Sequence, residues 1–234
     1  KKSYEYYKDG KLKVESYDNG AKTVYSYDSD GNLNKKEEFV DSSKSNITEY
    51  ECNQLGKIIK VKQLARKGDF SDNDLTDDKN ITLTTVNTYD LNGNLKATTS
   101  PSGVVTVHTY DDMNNLLTTS MTGVDEFGKT TQITTSNTYN SIGKLETKTD
   151  ALGNTMQYKY DGNGNLIKEI DVNGGTTAYY YDFIGNVVAV ISPNNYKENK
   201  NLSEMNRTEY VYNNMGNVIT QAQVYFDGSQ NLWI

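Results

Sequence analysis

Nothing constrains this chain more than a short motif that returns along its whole length. The motif is a tyrosine, then Asp or Asn, two free positions, Gly, Asn or Lys, and an aliphatic residue. Tyr27-Asp28-Ser29-Asp30-Gly31-Asn32-Leu33 is one copy, and others begin at Tyr89, Tyr110, Tyr139, Tyr160, Tyr181 and Tyr212. Cys52-Asn53-Gln54-Leu55-Gly56-Lys57-Ile58 is an eighth, with Cys52 in place of the ring. A ninth, shortened by one residue, is read at Tyr7-Lys8-Asp9-Gly10-Lys11-Leu12. The spacing is 21 residues from Tyr89 to Tyr110, Tyr139 to Tyr160 and Tyr160 to Tyr181, and 25, 37, 29 or 31 elsewhere. A fixed period of this length marks stacked units that bury a face only against their neighbours.

Each position of the motif has a backbone reason. Asp or Asn at the first loop position bonds its side chain to the backbone two residues on, and Gly four positions after the tyrosine suits a left-handed residue closing a hairpin turn. In Tyr110-Asp111-Asp112-Met113-Asn114-Asn115-Leu116 the glycine is replaced by Asn114, and Asn is the best non-glycine tenant of that region. The expected anchors are therefore Tyr27, Cys52, Tyr89, Tyr110, Tyr139, Tyr160, Tyr181 and Tyr212. Their turn residues are Gly31, Gly56, Gly93, Asn114, Gly143, Gly164, Gly185 and Gly216.

Five residues after the aliphatic position a second turn recurs, as in Asp150-Ala151-Leu152-Gly153-Asn154 and Asp171-Val172-Asn173-Gly174-Gly175. Between turns lie Thr-, Val- and Tyr-rich runs that read as strands, and no window sustains a capped helical period. The expected fold is all-β: consecutive antiparallel hairpins of about 21 residues in a curved sheet, one array over 1–234. Insertions fall in the second turn, near 41–46, 66–80, 122–129 and 192–206, and such insertions map to one rim of a repeat array. The longest, 66–80, is acidic and reads as a solvated loop. Val218 to Tyr225 reads as a strand followed by a further insertion, with Trp233 and Ile234 at an unpaired edge.

Side chains two apart share a face of a strand, and the anchor is often preceded at that distance by another ring. Tyr25, Tyr158, Tyr179 and Tyr210 take this place, with Tyr50 before Cys52 and His108 before Tyr110. One face thus carries an aromatic band, with Leu33, Leu95, Leu116, Leu145, Leu166, Val187 and Val218 as fillers between rings.

Composition agrees with a thin structure. The 234 residues carry 24 Lys and Arg against 31 Asp and Glu, for a net charge of −7. Mean hydropathy is −0.77 and the isoelectric point near 4.8. The chain is poor in aliphatic residues for a soluble domain, but 19 Tyr and only two Pro argue against disorder. An acidic chain with no run of Lys or Arg is ill suited to nucleic acid. Its one cysteine, Cys52, makes neither an internal disulfide nor a Cys-rich zinc site. No stretch approaches a membrane span. The opening KKSYEYYKDG lacks the apolar core of a signal peptide, and the sequence is expected to lie inside a larger protein.

The unit Y-D-x-x-G-N-L at 21-residue spacing, with a D-x-x-G turn between, resembles the YD repeat of bacterial Rhs proteins, wall-associated Rhs-like toxins, insecticidal toxin complex C components and animal teneurins. The resemblance covers essentially the whole chain. It implies a sheet of hairpins spiralling into a hollow β-shell that encloses a toxic C-terminal polypeptide or stands on a cell surface. Partners would then be other YD repeats of the same parent and an enclosed toxin polypeptide, in a secreted, cell-surface or wall-associated location. The family's plug segment, ending in a D-P-x-G-L-like motif, has no counterpart, and the common Arg after the turn glycine is Asn or Lys in every copy.

Chemistry is not expected. The lone histidine, His108, occupies a position the repeat explains, without the partner and pocket a catalytic base needs. Asp28-x-Asp30-x-Asn32, Asp90-x-Asn92-x-Asn94 and Asp161-x-Asn163-x-Asn165 open like a calcium loop. Their glycine comes at the fourth position, and Phe39, Pro101 or Val172 stands where the loop needs Glu. No enzyme activity, cofactor or metal is expected. Asn46, Asn80, Asn201 and Asn206 begin N-x-S/T triplets, which chance explains in so Asn- and Thr-rich a chain. The main expectation is a structural shell segment. The alternative is a carbohydrate-binding or adhesion module using the aromatic face or the insertion rim.

Overall fold

A computed structural model describes residues 1–39, 45–65, 81–124, 130–228 and 231–233. Strands come in hairpins, each turned by one copy of the tyrosine motif. They are β1 (Lys2–Tyr6) with β2 (Leu12–Tyr17), β3 (Lys22–Tyr27) with β4 (Leu33–Phe39), and β5 (Ser45–Cys52) with β6 (Ile58–Ala65). Next are β7 (Ile81–Tyr89) with β8 (Leu95–Thr99), β9 (Val105–Tyr110) with β10 (Leu116–Val124), and β11 (Thr130–Tyr139) with β12 (Leu145–Thr149). Then follow β13 (Thr155–Tyr160) with β14 (Leu166–Ile170), β15 (Thr176–Tyr181) with β16 (Val187–Ile191), β17 (Arg207–Tyr212) with β18 (Val218–Phe226), and the short β19 (Asn231–Trp233). Every described register is antiparallel and joins consecutive strands, as in β13 with β14 and β14 with β15. The fold is the expected all-β array of hairpins. Among the described residues the only helix is a 3-10 turn at Leu202–Glu204. The chain divides into two compact units, one of 1–108 and 120–132, the other of 109–119 and 133–234.

The two turns of the repeat share hydrogen bonding but differ in register. At the tyrosine turn, Asp161 N–H donates to Asn165 O and Gly164 N–H to Asp161 O; at the second, Asp150 N–H donates to Asn154 O and Gly153 N–H to Asp150 O. Beyond the tyrosine turn, however, Tyr160 faces Leu166 while Lys159 faces Lys168, so Ile167 is bulged. The second turn keeps unbroken register from Thr149↔Thr155 to Thr147↔Gln157. A bulge after the aliphatic residue recurs at other tyrosine turns, as at Tyr139, Tyr181 and Tyr212, and a bulge bends and twists its strand.

Several sequence expectations are corrected. The first motif is not shortened: Tyr6 is its anchor, facing Leu12 across the bulge, and Tyr7 fills the Asp position, its N–H donating to Lys11 O. The spacing alone hid this because three tyrosines lie within four residues. The chain after β18 makes a short hairpin, in which β19 pairs Val224↔Trp233 and Phe226↔Asn231, instead of a long insertion. Ser45 and Asn46 belong to β5, and Thr122 to β10, so two insertions are tighter than their sequence suggested. The acidic segment 66–80 lies outside the described residues, as do 40–44 and 125–129.

The segment 192–206 folds back onto one face of the sheet in the second unit. Ala178, Ile191 and Met205 are buried there, with Tyr180, Tyr196 and Leu202 packed around them. Arg207 anchors it from below: its Nε donates to Glu209 at 2.6 Å and its Nη1 to the carbonyls of Leu202 and Met205, both at 3.2 Å. Over the segment, Tyr196 hydroxyl donates to Glu198 at 2.7 Å, and the Lys168 ammonium lies 3.2 Å from Glu198 and 5.0 Å from the Tyr196 ring. These bonds to Tyr196 and Glu198 hold the Lys168 pKa above its ordinary value.

Candidate functional site

The residues that the repeat keeps are a seam joining each hairpin to the one before it. Ladders between hairpins stop short of the tyrosine turn: β14 and β15 end at Lys168↔Ala178, leaving Leu166 past the last pair. A backbone carbonyl there has lost its ladder donor, and an unpaired buried carbonyl is costly. The Tyr181 hydroxyl supplies the missing donor, reaching Leu166 O at 2.8 Å. The same bond joins Tyr27 to Leu12 O at 3.0 Å, Tyr89 to Ile58 O at 2.9 Å, Tyr139 to Leu116 O at 3.0 Å and Tyr212 to Val187 O at 2.8 Å. Tyrosine recurs for its length and its hydroxyl, which phenylalanine lacks.

The position two before the anchor serves the same seam. Where it is Asn, its amide shares the carbonyl with the anchor: Asn87 donates to Ile58 O at 3.1 Å and Asn137 to Leu116 O at 2.9 Å. At two of the Tyr positions the hydroxyl reaches a glutamate on the preceding hairpin, Tyr25 to Glu15 at 3.5 Å and Tyr179 to Glu169 at 3.4 Å, whereas the Tyr158 hydroxyl donates to Met156 Sδ at 3.8 Å. His108 occupies this position in β9. The rings do not stack on one another along the band: among the described residues the one ring pair is Tyr7 with Tyr27, edge-on at 6.0 Å. The fillers Leu33, Leu95, Leu116, Leu145, Leu166 and Val187 are half-buried, and Val218 is exposed. Cys52 ends β5 as the ring does elsewhere, and burial raises its thiol pKa.

The turn residues lie at the same rim. Gly31, Gly56, Gly93, Gly143, Gly164, Gly185 and Gly216 have φ between 72° and 92°, and Asn114 has φ 65°. At Gly164 the positive φ is the demand, since a methyl group there would meet Lys144 Cε of the preceding repeat only at an ordinary 3.4 Å contact.

A pairing rule inside the turn escaped the sequence reading. Asp161 Oδ1 accepts the N–H groups of Asn163 and Asn165, and its Oδ2 accepts the Asn165 amide at 3.0 Å. Asp28 with Asn32, Asp90 with Asn94, Asp111 with Asn115 and Asp182 with Asn186 repeat this amide bond at 2.9 to 3.2 Å. Where the first residue is Asn53 or Asn140, the residue after glycine is Lys57 or Lys144. These lysines reach forward: the Lys57 ammonium lies 5.8 Å from the Tyr89 ring, as Lys11 lies 5.4 Å from Tyr27. A carboxylate offers its second oxygen to the amide, whereas an Asn facing an Asn, its Oδ1 already accepting the turn N–H groups, has only its NH2 left there. Asn213 with Asn217 is the one such combination, and no bond forms between their side chains.

The same bonds account for the calcium-like spacing. Asp28 spends Oδ1 on the N–H groups of Asp30 and Asn32 and Oδ2 on the Asn32 amide. These bonds, led by the Asn32 backbone N–H, hold its pKa below the usual carboxylate range. Among the described residues no group of three or more His, Cys, Asp or Glu could hold a metal ion. Asn206 Oδ1 accepts the Phe226 N–H at 2.8 Å, a structural use of one N-x-S/T asparagine.

One open groove of about 650 Å³ lies in the first unit, lined by Tyr6, Tyr7, Tyr27, Lys8, Lys11 and Lys13. Two of its three rings are engaged. The Tyr7 hydroxyl donates to Tyr25 O at 3.1 Å, and the Lys13 and Lys11 ammoniums lie over Tyr7 and Tyr27.

Residues 89–125, 139–176 and 160–197 match the family model described as RHS Repeat. No curated protein matches the chain. Among solved structures, the Photorhabdus luminescens Tc holotoxin pore is similar over 95% of this chain and 13% of that one, at 16% identity and a TM-score of 0.58. The crystal structure of TcdB2-TccC3-Cdc42 is similar over 92% of this chain and 12% of that one, at 16% identity and 0.57. TcdB2-TccC3 without its hypervariable C-terminal region gives 95%, 13%, 15% identity and 0.56. At these identities the likeness is one of fold, and the chain spans about an eighth of the length of those chains.

Proposed function

The chain carries an RHS-repeat, or YD-repeat, region, and on that footing we propose that it is a non-catalytic wall segment of an Rhs-type toxin shell, enclosing or displaying a toxin polypeptide located elsewhere in the parent. The observation that carries this reading is the seam. Within each unit consecutive strands pair, and tyrosine hydroxyls close gaps between hairpins, so that a sheet with little apolar core stays continuous there. Such a sheet suits a partition better than a pocket. The fold likeness to the TcdB2-TccC3 structures supports the same reading.

The partners are other repeats of the same parent and the enclosed polypeptide, and the location is secreted or at the cell surface. Among the described residues no helix is long and apolar enough to cross a membrane. The glycan-binding reading gains little, because Tyr7 and Tyr27 at the groove already face lysine ammoniums and each other.

Limited proteolysis of the full-length parent tests the proposal. Its toxin polypeptide should resist protease while the repeats are intact, and become sensitive when Tyr27→Phe, Tyr89→Phe, Tyr139→Phe, Tyr181→Phe and Tyr212→Phe are combined. Equal sensitivity in both proteins would refute enclosure.

A further inference from the structure

Turn tips are ordinarily polar, and four of the five tyrosine turns in the second unit carry an exposed apolar residue. In the second unit, the free positions of the tyrosine turns carry Met113, Ile142, Phe183, Ile184 and Met215, all exposed, Phe183 at 98% and Met215 at 86%. Leu55 and Leu91 hold the same place in the first unit. The repeat needs no apolar side chain there: the turn is made by the Asp or Asn, the left-handed residue and the bulge. The tips are flanked by hydrogen-bonded hairpins, so their exposure does not come from the unpaired end of the sheet.

The order of the tips in the second unit is symmetric. Met113 and Ile142 come first, then Gly162 and Asn163 in the Tyr160 turn, then Phe183 with Ile184, and last Met215. A small, flat turn thus sits between two pairs of apolar ones. Successive tips are two strands apart, about 9.6 Å at ordinary sheet spacing. The polar groups beneath are already engaged, since Asp111, Asp161 and Asp182 each accept two backbone N–H groups and one amide. Covering the rim strands few of them.

We propose that this rim is a self-association surface, occupied by the same rim of a second copy laid antiparallel, with the two-fold axis at the Gly162 turn. In an isologous contact residue i meets j and j meets i, so Ile142 meets the partner's Ile184 and Met113 meets the partner's Met215. Five such side chains offer about 500 Å² of apolar surface per copy, or about 1,000 Å² in all, at the threshold of a specific interface. The association is therefore weak and concentration-dependent. It is independent of the shell reading and holds or fails without it.

Sedimentation equilibrium from about 10 µM to about 1 mM should show a monomer–dimer equilibrium. Phe183→Asp and Met215→Asp, both at exposed sites, should each weaken it roughly tenfold while leaving the melting curve unchanged. In a Cys52→Ser background, Met113→Cys mixed with Met215→Cys should form a disulfide between copies under oxidation, and neither alone should do so to the same extent. A monomer throughout would overturn the proposal. So would an oligomer indifferent to both aspartates, or cross-linking equal in all three samples, because each places association at another surface.

Discussion

The Tyr181 hydroxyl donates to the carbonyl of Leu166 at 2.8 Å, across the point where the ladder between β14 and β15 has already ended. Tyr160, one repeat earlier, keeps the ring without such a bond among the described residues. Tyr181→Phe should therefore cost about 1 kcal/mol, the net worth of a hydrogen bond, and Tyr160→Phe close to nothing. Urea denaturation of the two variants checks this, and equal losses would assign the anchor to ring packing.

Two glycines in one turn separate backbone demand from mere flexibility. Gly164 has φ +84° with Lys144 Cε close by, whereas Gly162 has no such φ and open space around it. Gly164→Ala should destabilise the chain by about 1–2 kcal/mol. Gly162→Ala should be neutral or stabilise it by up to about 1 kcal/mol. Thermal melts of the pair read the difference directly.

The turn aspartates make stability depend on acid in a defined direction. In the folded chain Asp161 lies below the usual carboxylate range because of the Asn165 amide and then the turn N–H groups, and Asp111 and Asp150 are lowered by Asn115 and Asn154 in the same way. A carboxyl with a lower pKa in the folded state stabilises it at pH values above the unfolded pKa, about 3.9. That contribution is lost as pH falls through the folded value. Denaturation midpoints should be flat from about pH 7 to 5 and fall below about 4. Asp161→Asn should leave an NH2 where Oδ2 accepts the Asn165 amide, as at Asn213 with Asn217, lowering the denaturation midpoint at neutral pH, and its acid slope should be shallower.

The folded-back segment 192–206 rests on Met205, which is 2% exposed against Ile191 and Ala178. Met205→Ala should cost about 2 kcal/mol or more and raise hydrogen exchange at Leu202–Glu204 and in β16. Exchange unchanged there would mean that the segment is held by the Arg207 bonds alone.

The repeat was legible because its parts are local. A positive φ needs glycine or asparagine, and Asn114 revealed the geometry by being the one substitution that geometry admits. The hairpin order follows from the alternation of two turns. What stayed hidden depends on contacts between repeats or on the register around a bulge. Tyr6 could not be told from Tyr7 as an anchor, because both precede Gly10 at nearly the same distance. The hydroxyl bond from Tyr181 to Leu166 needed the knowledge that the ladder stops at Lys168. The segment 192–206 looked like other polar insertions, yet Met205 and Tyr196 gave it something to bury. The pairing of Asp with Asn, and of Asn with Lys, was visible in the turns themselves and would have emerged had they been aligned on hydrogen-bond donors and acceptors.

Electron cryo-microscopy of the full-length parent tests the shell reading most directly. The account predicts a closed hollow body in which β2 to β18 form part of a wall one sheet thick, with density for another part of the chain inside. An extended ribbon, or a body whose repeats surround no enclosed space, would contradict it.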